Sequence, residues 1–243
     1  MSFSGAVHSE LVKVKHTPFR AIHFLLPLFG ALLFVLYFVI YENVDDFKKL
    51  RLILELTATV FPLLISVVVS LNVMLEEKAS HFQILLAVPD RKRIFLSKLA
   101  VLYGMGVIAL FSLFLFFVLG TYLLGVLETV QLSRLVQSVV GIAFFNLIIY
   151  ILHLFLSLKF GFGISLFWGV FESLQCILYS NIALNGIGRY IPFAWATNWI
   201  QDILNNKLTN HTMEWLLIAA LTIGCLLLTL VWFSHWEGRK NYE

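Results

Sequence analysis

The sequence predicts an all-α membrane protein with six transmembrane helices. The composition, the long apolar runs and the placement of the charges lead to this prediction. Of the 243 residues, 60% are hydrophobic and 13% are charged, and the mean hydropathy is +0.91. Soluble domains are only about 45–50% apolar, and disordered, nucleic-acid-binding or disulfide-rich secreted chains need compositions that this sequence lacks. We therefore expect membrane lipid, and no nucleic acid, around the chain.

The apolar runs define one transmembrane domain over residues 1–243. A helix that crosses a hydrocarbon core about 30 Å thick needs about 20 mainly apolar residues. Six stretches qualify or nearly qualify: 22–41, 57–75, 100–120, 135–157, 162–180 and 214–234. The second contains Pro62, which a membrane helix tolerates when neighbouring groups bond the freed carbonyl. The fifth is the weakest, because several glycines and Glu172 interrupt it.

Lysine and arginine set the orientation, since cytoplasmic loops carry an excess of them. With the N-terminus inside, 11 of the 17 fall on the cytoplasmic side and 6 outside. The polar segment Met1–Arg20 lacks the short apolar core of a signal peptide. We expect a multi-pass cell-membrane protein with both termini in the cytoplasm.

The first 20 residues predict a helix that lies in the cytoplasmic interface. Phe3, Val7, Leu11 and Val14 recur at helical spacing, and Pro18 ends the pattern before the first span. The alternative is a solvated basic N-terminus.

Residues 76–99 form the cytoplasmic connection between the second and third spans. Phe82, Leu85 and Leu86 share one face of a short helix that Pro89 stops, and Asp90 can cap the helix that follows. Such a helix, anchored at both ends to spanning helices, is one that a cytoplasmic motor could grip. A connector that packs under its own bundle is the alternative.

Glu172 is the least expected residue within the spans. A carboxylate in mid-bilayer costs about 2.5–3.5 kcal/mol, so Glu172 should face the bundle or a wet cavity, or be protonated. It is a candidate substrate-path residue. It could instead pair with His153 and hold spans four and five together. Ser165 and Gly169 have the spacing that lets two helices approach closely.

Residues 181–213 form the longest outer segment. Trp195 and Trp199 follow breaks at Gly186, Gly188 and Pro192, and such amphipathic rings favour the level of the lipid headgroups. We expect an extracellular re-entrant hairpin there. Alternatively, the aromatic rings form a belt at the mouth of the sixth span.

Several catalytic motifs are missing from the sequence. It contains no G-x-x-x-x-G-K-[ST], so any ATP-driven work requires a partner. We expect no catalytic residue, cofactor or metal site in the chain. The pair Glu76-Glu77 is similar to the paired glutamates of CAAX-type intramembrane proteases, but His81 stands where that motif has arginine. A membrane-embedded enzyme using Glu76, Glu77 and His81 is the alternative from another class.

Three blocks, in order along the chain, resemble one family. They are Glu10-Leu11-Val12-Lys13-Val14-Lys15-His16-Thr17-Pro18, Glu76-Glu77-Lys78 through Pro89 to Ile94-Phe95-Leu96-Ser97-Lys98-Leu99, and Tyr190-Ile191-Pro192-Phe193-Ala194-Trp195-Ala196. Together they resemble the permease subunits of lantibiotic self-protection transporters, within the ABC-2 class of ABC exporters.

The resemblance implies that cytoplasmic ABC ATPase subunits, which bind the ATP, drive two related permeases. Such complexes protect a Gram-positive bacterium by expelling a cationic amphipathic peptide from its membrane. When the family's pattern is carried over by position, Phe82, Leu85 and Leu86 would enter the ATPase groove. Glu76 and Glu77 would pair with basic residues around that groove. Residues 190–200, with Trp195 and Trp199, would lie near the exit of the peptide. Another antimicrobial peptide or a lipid is the alternative cargo.

Overall fold

The computed structural model describes residues 2–15, 17–41, 44–126, 131–180, 185–207 and 212–239. In these residues the chain forms α-helices and one 3-10 turn, and no strand. The helices are α1 (Phe3–Lys15), α2 (Phe19–Ile40), α3 (Asp46–Ser80), α4 (Gln83–Leu86), α5 (Arg91–Leu123), α6 (Leu132–Phe145), α7 (Leu147–Phe160), α8 (Phe162–Tyr179), α9 (Asn185–Gly188), α10 (Trp195–Leu204) and α11 (Thr212–Ser234), and the 3-10 turn is Pro192–Ala194.

The predicted all-α fold with six spanning helices is confirmed. Six helical segments of the described chain are long and apolar enough to cross a membrane, namely α2, α3, α5, α6 with α7, α8 and residues 214–234 of α11. The fourth crossing is divided at Asn146, whose side-chain amide donates to the carbonyl of Ile142 at 2.8 Å. This bond satisfies a buried amide at the junction between α6 and α7.

The helix α3 is longer than the apolar run inside it. Its 35 residues correspond to about 52 Å at about 1.5 Å per residue, well beyond a hydrocarbon core of about 30 Å. Asp45 caps its start, because the carboxylate of Asp45 accepts a hydrogen bond from the backbone N–H of Phe47 at 3.2 Å. Its last turns therefore carry Glu76 and Glu77 past the apolar run.

α3 is also the central packing element of the bundle, and its most extensive contact is with α8. Gly169 on α8 leaves no room for a Cβ because the side chain of Ser66 occupies that space, and the Cα of Leu63 lies 3.3 Å from the same point. Ser165 is fully buried one turn earlier. This is the close approach that the spacing of Ser165 and Gly169 predicts.

The N- and C-terminal segments meet at one end of the bundle. There α1, the end of α3, α4, the start of α5 and residues 235–239 touch each other. We call this end the terminal face. The other end, with residues 185–207, is called the opposite face.

Candidate functional site

A buried ion cluster joins three helices at the terminal face. The ammonium of Lys98 on α5 donates to Glu10 at 2.7 Å, to Glu76 at 2.9 Å and to Asn72 at 3.0 Å. These three acceptors use all three of its N–H groups. Lys98 is 2% exposed. Lys13 on α1 completes the ion cluster, with bonds of 2.6 Å to Glu10 and 2.7 Å to Glu76.

The two acids and two bases of the ion cluster balance each other's charge. Burial disfavours the charged form of Lys13, but the carboxylates of Glu10 and Glu76 outweigh burial and raise the pKa of Lys13 above its ordinary value. A buried ion pair gains little over an apolar contact, yet removing one partner leaves an uncompensated charge. The ion cluster therefore fixes α1 relative to α3 and α5.

Sequence reasoning missed Lys98 and Asn72, although Glu76 was singled out. A signal for Lys98 was present, because Lys98 lies two residues before the third apolar run and Glu76 immediately follows the second. Two helices joined by a short connection bring such flanking charges to the same depth.

The connection between α3 and α5 makes a tight turn. His81 and Phe82 both have left-handed backbones, with φ of 46° and 66°, which few residues other than glycine adopt. The helix that follows, α4, is one turn long, and the Asp90 carboxylate then caps α5 through the N–H of Arg93 at 3.1 Å. This turn points Phe82 and Leu85 into the protein, where each is only 2% exposed.

Residues 235–239 lie against this connection, and we call them the C-terminal strap. The ring of Trp236 meets the ring of Phe82 edge-on at 5.2 Å. The Arg91 guanidinium donates to the carbonyl of Trp236 at 2.6 Å. Arg239 pairs with Glu77 at 2.6 Å and lies 5.0 Å above the Phe82 ring. The strap was not predicted from the sequence.

These contacts correct the expected arrangement of the coupling residues. Phe82 and Leu85 are covered by their own chain, so they are not available to a groove on another protein in this structure. Glu76 and Glu77 form ion pairs within the chain, with Lys98 and Arg239. In this structure the strap covers the ring of Phe82, and the exposed side of the connection carries Ile84. Leu86 is half-buried, and Ile84 is 61% exposed.

Glu172 takes the position that the pairing alternative describes. Its carboxylate lies 2.8 Å from His153 Nε2, and His153 Nδ1 lies 2.9 Å from the Ser165 hydroxyl. All three side chains are fully buried between α7 and α8. The second carboxylate oxygen of Glu172 has no hydrogen-bond partner among the described residues. The geometry shows a polar contact that joins spans four and five.

Trp195 and Trp199 belong to an aromatic group at the opposite face. Trp195 is 3% exposed and donates its ring N–H to the carbonyl of Arg189 at 3.0 Å. Trp199 donates to the carbonyl of Gln137 at 3.1 Å and meets the ring of Trp215 at 5.6 Å. Trp215 belongs to the sixth crossing, so these contacts join residues 195–199 to the start of that crossing.

A comparison with known protein families places the chain in one of them. The family model described as ABC-2 family transporter protein matches residues 6–172. The chain belongs to this family. No curated protein and no solved structure shows significant similarity to it.

Membership makes this ABC-2 permease the transport subunit of its complex, and not the ATPase. It implies partnership with an ABC ATPase and a multi-pass location in the plasma membrane. The matched residues include the whole ion cluster, the α3–α5 connection and Glu172, whereas α10, α11 and the strap follow them.

Glu76, Glu77 and His81 do not converge in this ABC-2 permease as an enzyme site would require. Glu76 bonds Lys98 and Glu77 bonds Arg239, while the side chain of His81 is exposed. The described residues contain no group of three or more His, Cys, Asp or Glu that could hold a metal ion.

Proposed function

We propose that this ABC-2 permease expels a lantibiotic-like cationic amphipathic peptide from the cell membrane of a Gram-positive bacterium and so protects that cell. It would act beside a second related permease, powered by ABC ATPase subunits at the terminal face, with both termini in the cytoplasm. The observation that supports the coupling of this permease to an ATPase is the ion cluster, whereas the choice of cargo rests on the third resembling block. The ion cluster members Glu10, Glu76 and Lys98 come from the first two blocks that resemble the lantibiotic self-protection permeases.

The ion cluster provides a route for mechanical coupling. A push on α4 reaches α3 and α5 directly, because α4 lies between them in the chain. Lys98 bonds α1 and α3 at the same level, so α1 follows the movement of both spans. ATP binding by the partner would then shift the equilibrium between two arrangements of the packed helices.

The surface offered to the ATPase is the outer side of α4. Gln83, Ile84 and Ala87 are exposed there, beside the exposed Pro89. Phe82 and Leu85 hold this turn in place from below. In this proposal Phe82 and Leu85 fix α4 to the bundle, and the ATPase contacts Ile84 and its neighbours.

The choice of peptide as cargo rests on the third resembling block together with its structure. Residues 190–196 include the 3-10 turn and the first two residues of α10. They bring Trp195 into the aromatic group at the opposite face, where an amphipathic peptide would leave the bilayer. An ABC-2 permease for another membrane-active peptide or for a lipid is the second candidate, since the ion cluster serves any cargo equally well.

The decisive experiment charges the exposed side of α4. In cells that contain the ATPase and the second permease, Ile84→Asp should abolish protection against the peptide, because a carboxylate in an apolar docking surface is desolvated without a partner. Leu132→Asp is the matched control, since Leu132 is 60% exposed at the opposite end of the bundle.

Membrane fractions must contain equal amounts of both variants. Protection should survive in Leu132→Asp and be lost in Ile84→Asp. Full protection by Ile84→Asp would remove α4 from the coupling surface. Protection in cells without any ATPase subunit would overturn the proposed function itself.

A further inference from the structure

The C-terminal strap is attached to the bundle by side chains and not by regular secondary structure. Among the described residues, its backbone N–H groups bond only to carbonyls in the last turn of α11. Its polar and ring contacts with the other helices come from Trp236 and Arg239. The side chains of the pair Glu77–Arg239 are 28% and 19% exposed, and ion pairs open to water add little stability. A few side-chain contacts therefore hold the strap closed.

Two features of the closed arrangement are unfavourable by themselves. His81 and Phe82, which lie under the strap and next to it in the chain, have left-handed backbones although neither is glycine. The Nε of Arg239 is buried and has no hydrogen-bond partner among the described residues, whereas water would bond it if the strap opened. Such features persist only where surrounding contacts hold them, and they are found at switches. Gly238, with a φ of 96°, provides a backbone position at which the strap can turn.

The strap lies between the α3–α5 connection and the junction of α7 with α8. A Cβ on Gly161, at this junction, would lie 2.7 Å from Nη1 of Arg239, and a Cβ on Gly238 would lie 3.4 Å from Cδ1 of Leu86 on α4. Arg239 thus touches the connection on one side, through Glu77, and the junction on the other. A shift of α4 relative to α7 and α8 would have to break one of these contacts.

We infer that the strap is a latch on the coupling segment. In its closed position it holds the α3–α5 connection against the bundle and keeps the permease at rest. It opens when the ATP-bound ATPase moves α4. Opening breaks the pair Glu77–Arg239, uncovers the ring of Phe82 and gives the Nε of Arg239 access to water. The inference rests on the proposed coupling through α4, and it is independent of the proposed cargo.

Spin labels can report the opening without altering any contact of the latch. Cys176 and Cys225 are replaced by alanine, and labelled cysteines are introduced at Gln83 on α4 and Glu237 on the strap, which are both exposed. The purified complex with its ATPase and second permease is measured by pulsed electron paramagnetic resonance, without nucleotide and with ATP plus vanadate. The distance between the labels should lengthen with ATP plus vanadate. Gln83 with the exposed Lys92 is the control pair, whose distance should stay constant.

The outcomes separate the latch from the proposed function. An unchanged distance between Gln83 and Glu237 in a complex that hydrolyses ATP would overturn the latch and leave the proposed function standing. Equal lengthening in the control pair would overturn the latch as well, because α4 would then have moved away from α5. A longer distance for Gln83 and Glu237 alone, in a complex that gives no protection against the peptide, would support the latch and refute the proposed cargo.

A reversible cross-link tests whether the latch must open. In the protein without its native cysteines, Glu77→Cys/Arg239→Cys is joined by a bifunctional methanethiosulfonate reagent. The closed latch should lower ATP turnover by the purified complex roughly tenfold or more, and reduction of the cross-link should restore it. Both states are compared in the same protein, so the loss of the ion pair affects them equally.

The matched control is a cross-link that joins no two elements. Asp90 and Arg93 form an ion pair of 2.9 Å at the start of α5, so Asp90→Cys/Arg93→Cys takes the same reagent at the same face and should keep its ATP turnover. Equal turnover before and after reduction in Glu77→Cys/Arg239→Cys would contradict a latch that has to open. If this variant does not assemble with the ATPase, the distance between Gln83 and Glu237 still decides.

Discussion

Lys98 is the residue whose loss should damage the terminal face most. Lys98→Met would leave Glu10 and Glu76 buried with Lys13 as their remaining cation. An uncompensated buried charge costs about 3–5 kcal/mol, so we expect a large fall in thermal stability in detergent. Lys92→Met is the control, because Lys92 is exposed on the same helix. The double variant Lys98→Met/Glu10→Gln restores the charge balance and should recover part of the loss.

Equal melting temperatures for Lys98→Met and Lys92→Met would contradict a structural role for the ion cluster. Stability and transport should also fall together in Lys98→Met, because the same bonds tie α1 to α3 and α5. A stable Lys98→Met protein that fails to protect cells would instead assign Lys98 a role in transport alone.

Glu172 and His153 can be tested as a pair. His153→Leu leaves the carboxylate without its partner in the bundle, and a buried polar group that loses its hydrogen bond costs about 1–3 kcal/mol. Replacing both residues by leucine removes the polar pair and should recover much of that stability. Since the geometry favours a structural role, protection should also return in the double variant at matched expression. A stable double variant without protection would make Glu172 a substrate-path residue.

At the scale of the elements, the C-terminal strap holds the α3–α5 connection. Trp236→Ala removes the ring that meets Phe82 at 5.2 Å and stacks on Phe233 at 5.5 Å. Loss of a buried aromatic side chain costs about 3–5 kcal/mol, so local opening should become roughly a hundredfold or more frequent. Hydrogen exchange of the amides at 81–88 measures this opening. His235→Ala is the control, since His235 is exposed beside Trp236. Unchanged exchange in Trp236→Ala would show that the strap does not hold the connection.

The spanning helices could be predicted from the sequence because each depends on the length of a local apolar run. The strap could not, because its bonds join residues 145 and 162 positions apart, from Arg91 to Trp236 and from Glu77 to Arg239. The apolar side of α4 was recognisable from Phe82 and Leu85. Which segment covers that side depends on these distant contacts. The true ends of α3 were also hidden, because its polar last turns lie outside the apolar window.

The candidate site shows the same division between local and distant information. The pairing of Glu172 with His153 was foreseeable, since an isolated carboxylate in the bilayer needs a partner and His153 was the basic candidate in the preceding span. The ion cluster could not be predicted in this way, because it forms only where three distant segments of the chain meet. Glu10, Glu76 and Lys98 are up to 88 residues apart, and no periodicity in the sequence links them.

At the scale of the whole molecule, the prediction concerns orientation. The contacts of α1, α4 and the strap place the N-terminal helix and residues 235–239 at the same end of the bundle, as an even number of crossings requires. Of the 17 lysines and arginines, 11 belong to this side in the sequence-based topology. The positive-inside bias predicts that the terminal face lies in the cytoplasm, where an ABC ATPase could reach α4.

Thiol labelling in intact cells tests this orientation. The native Cys176 and Cys225 are first replaced by alanine, and single cysteines are then placed at His8 and Asn205, which are exposed at the terminal and opposite faces. A membrane-impermeant maleimide should label Asn205→Cys in intact cells and His8→Cys only after permeabilisation. Labelling of His8→Cys from outside would place α4 beyond the reach of any cytoplasmic ATPase. The orientation predicted from the lysine and arginine bias would then be wrong, and the ion cluster could no longer couple ATP hydrolysis to transport.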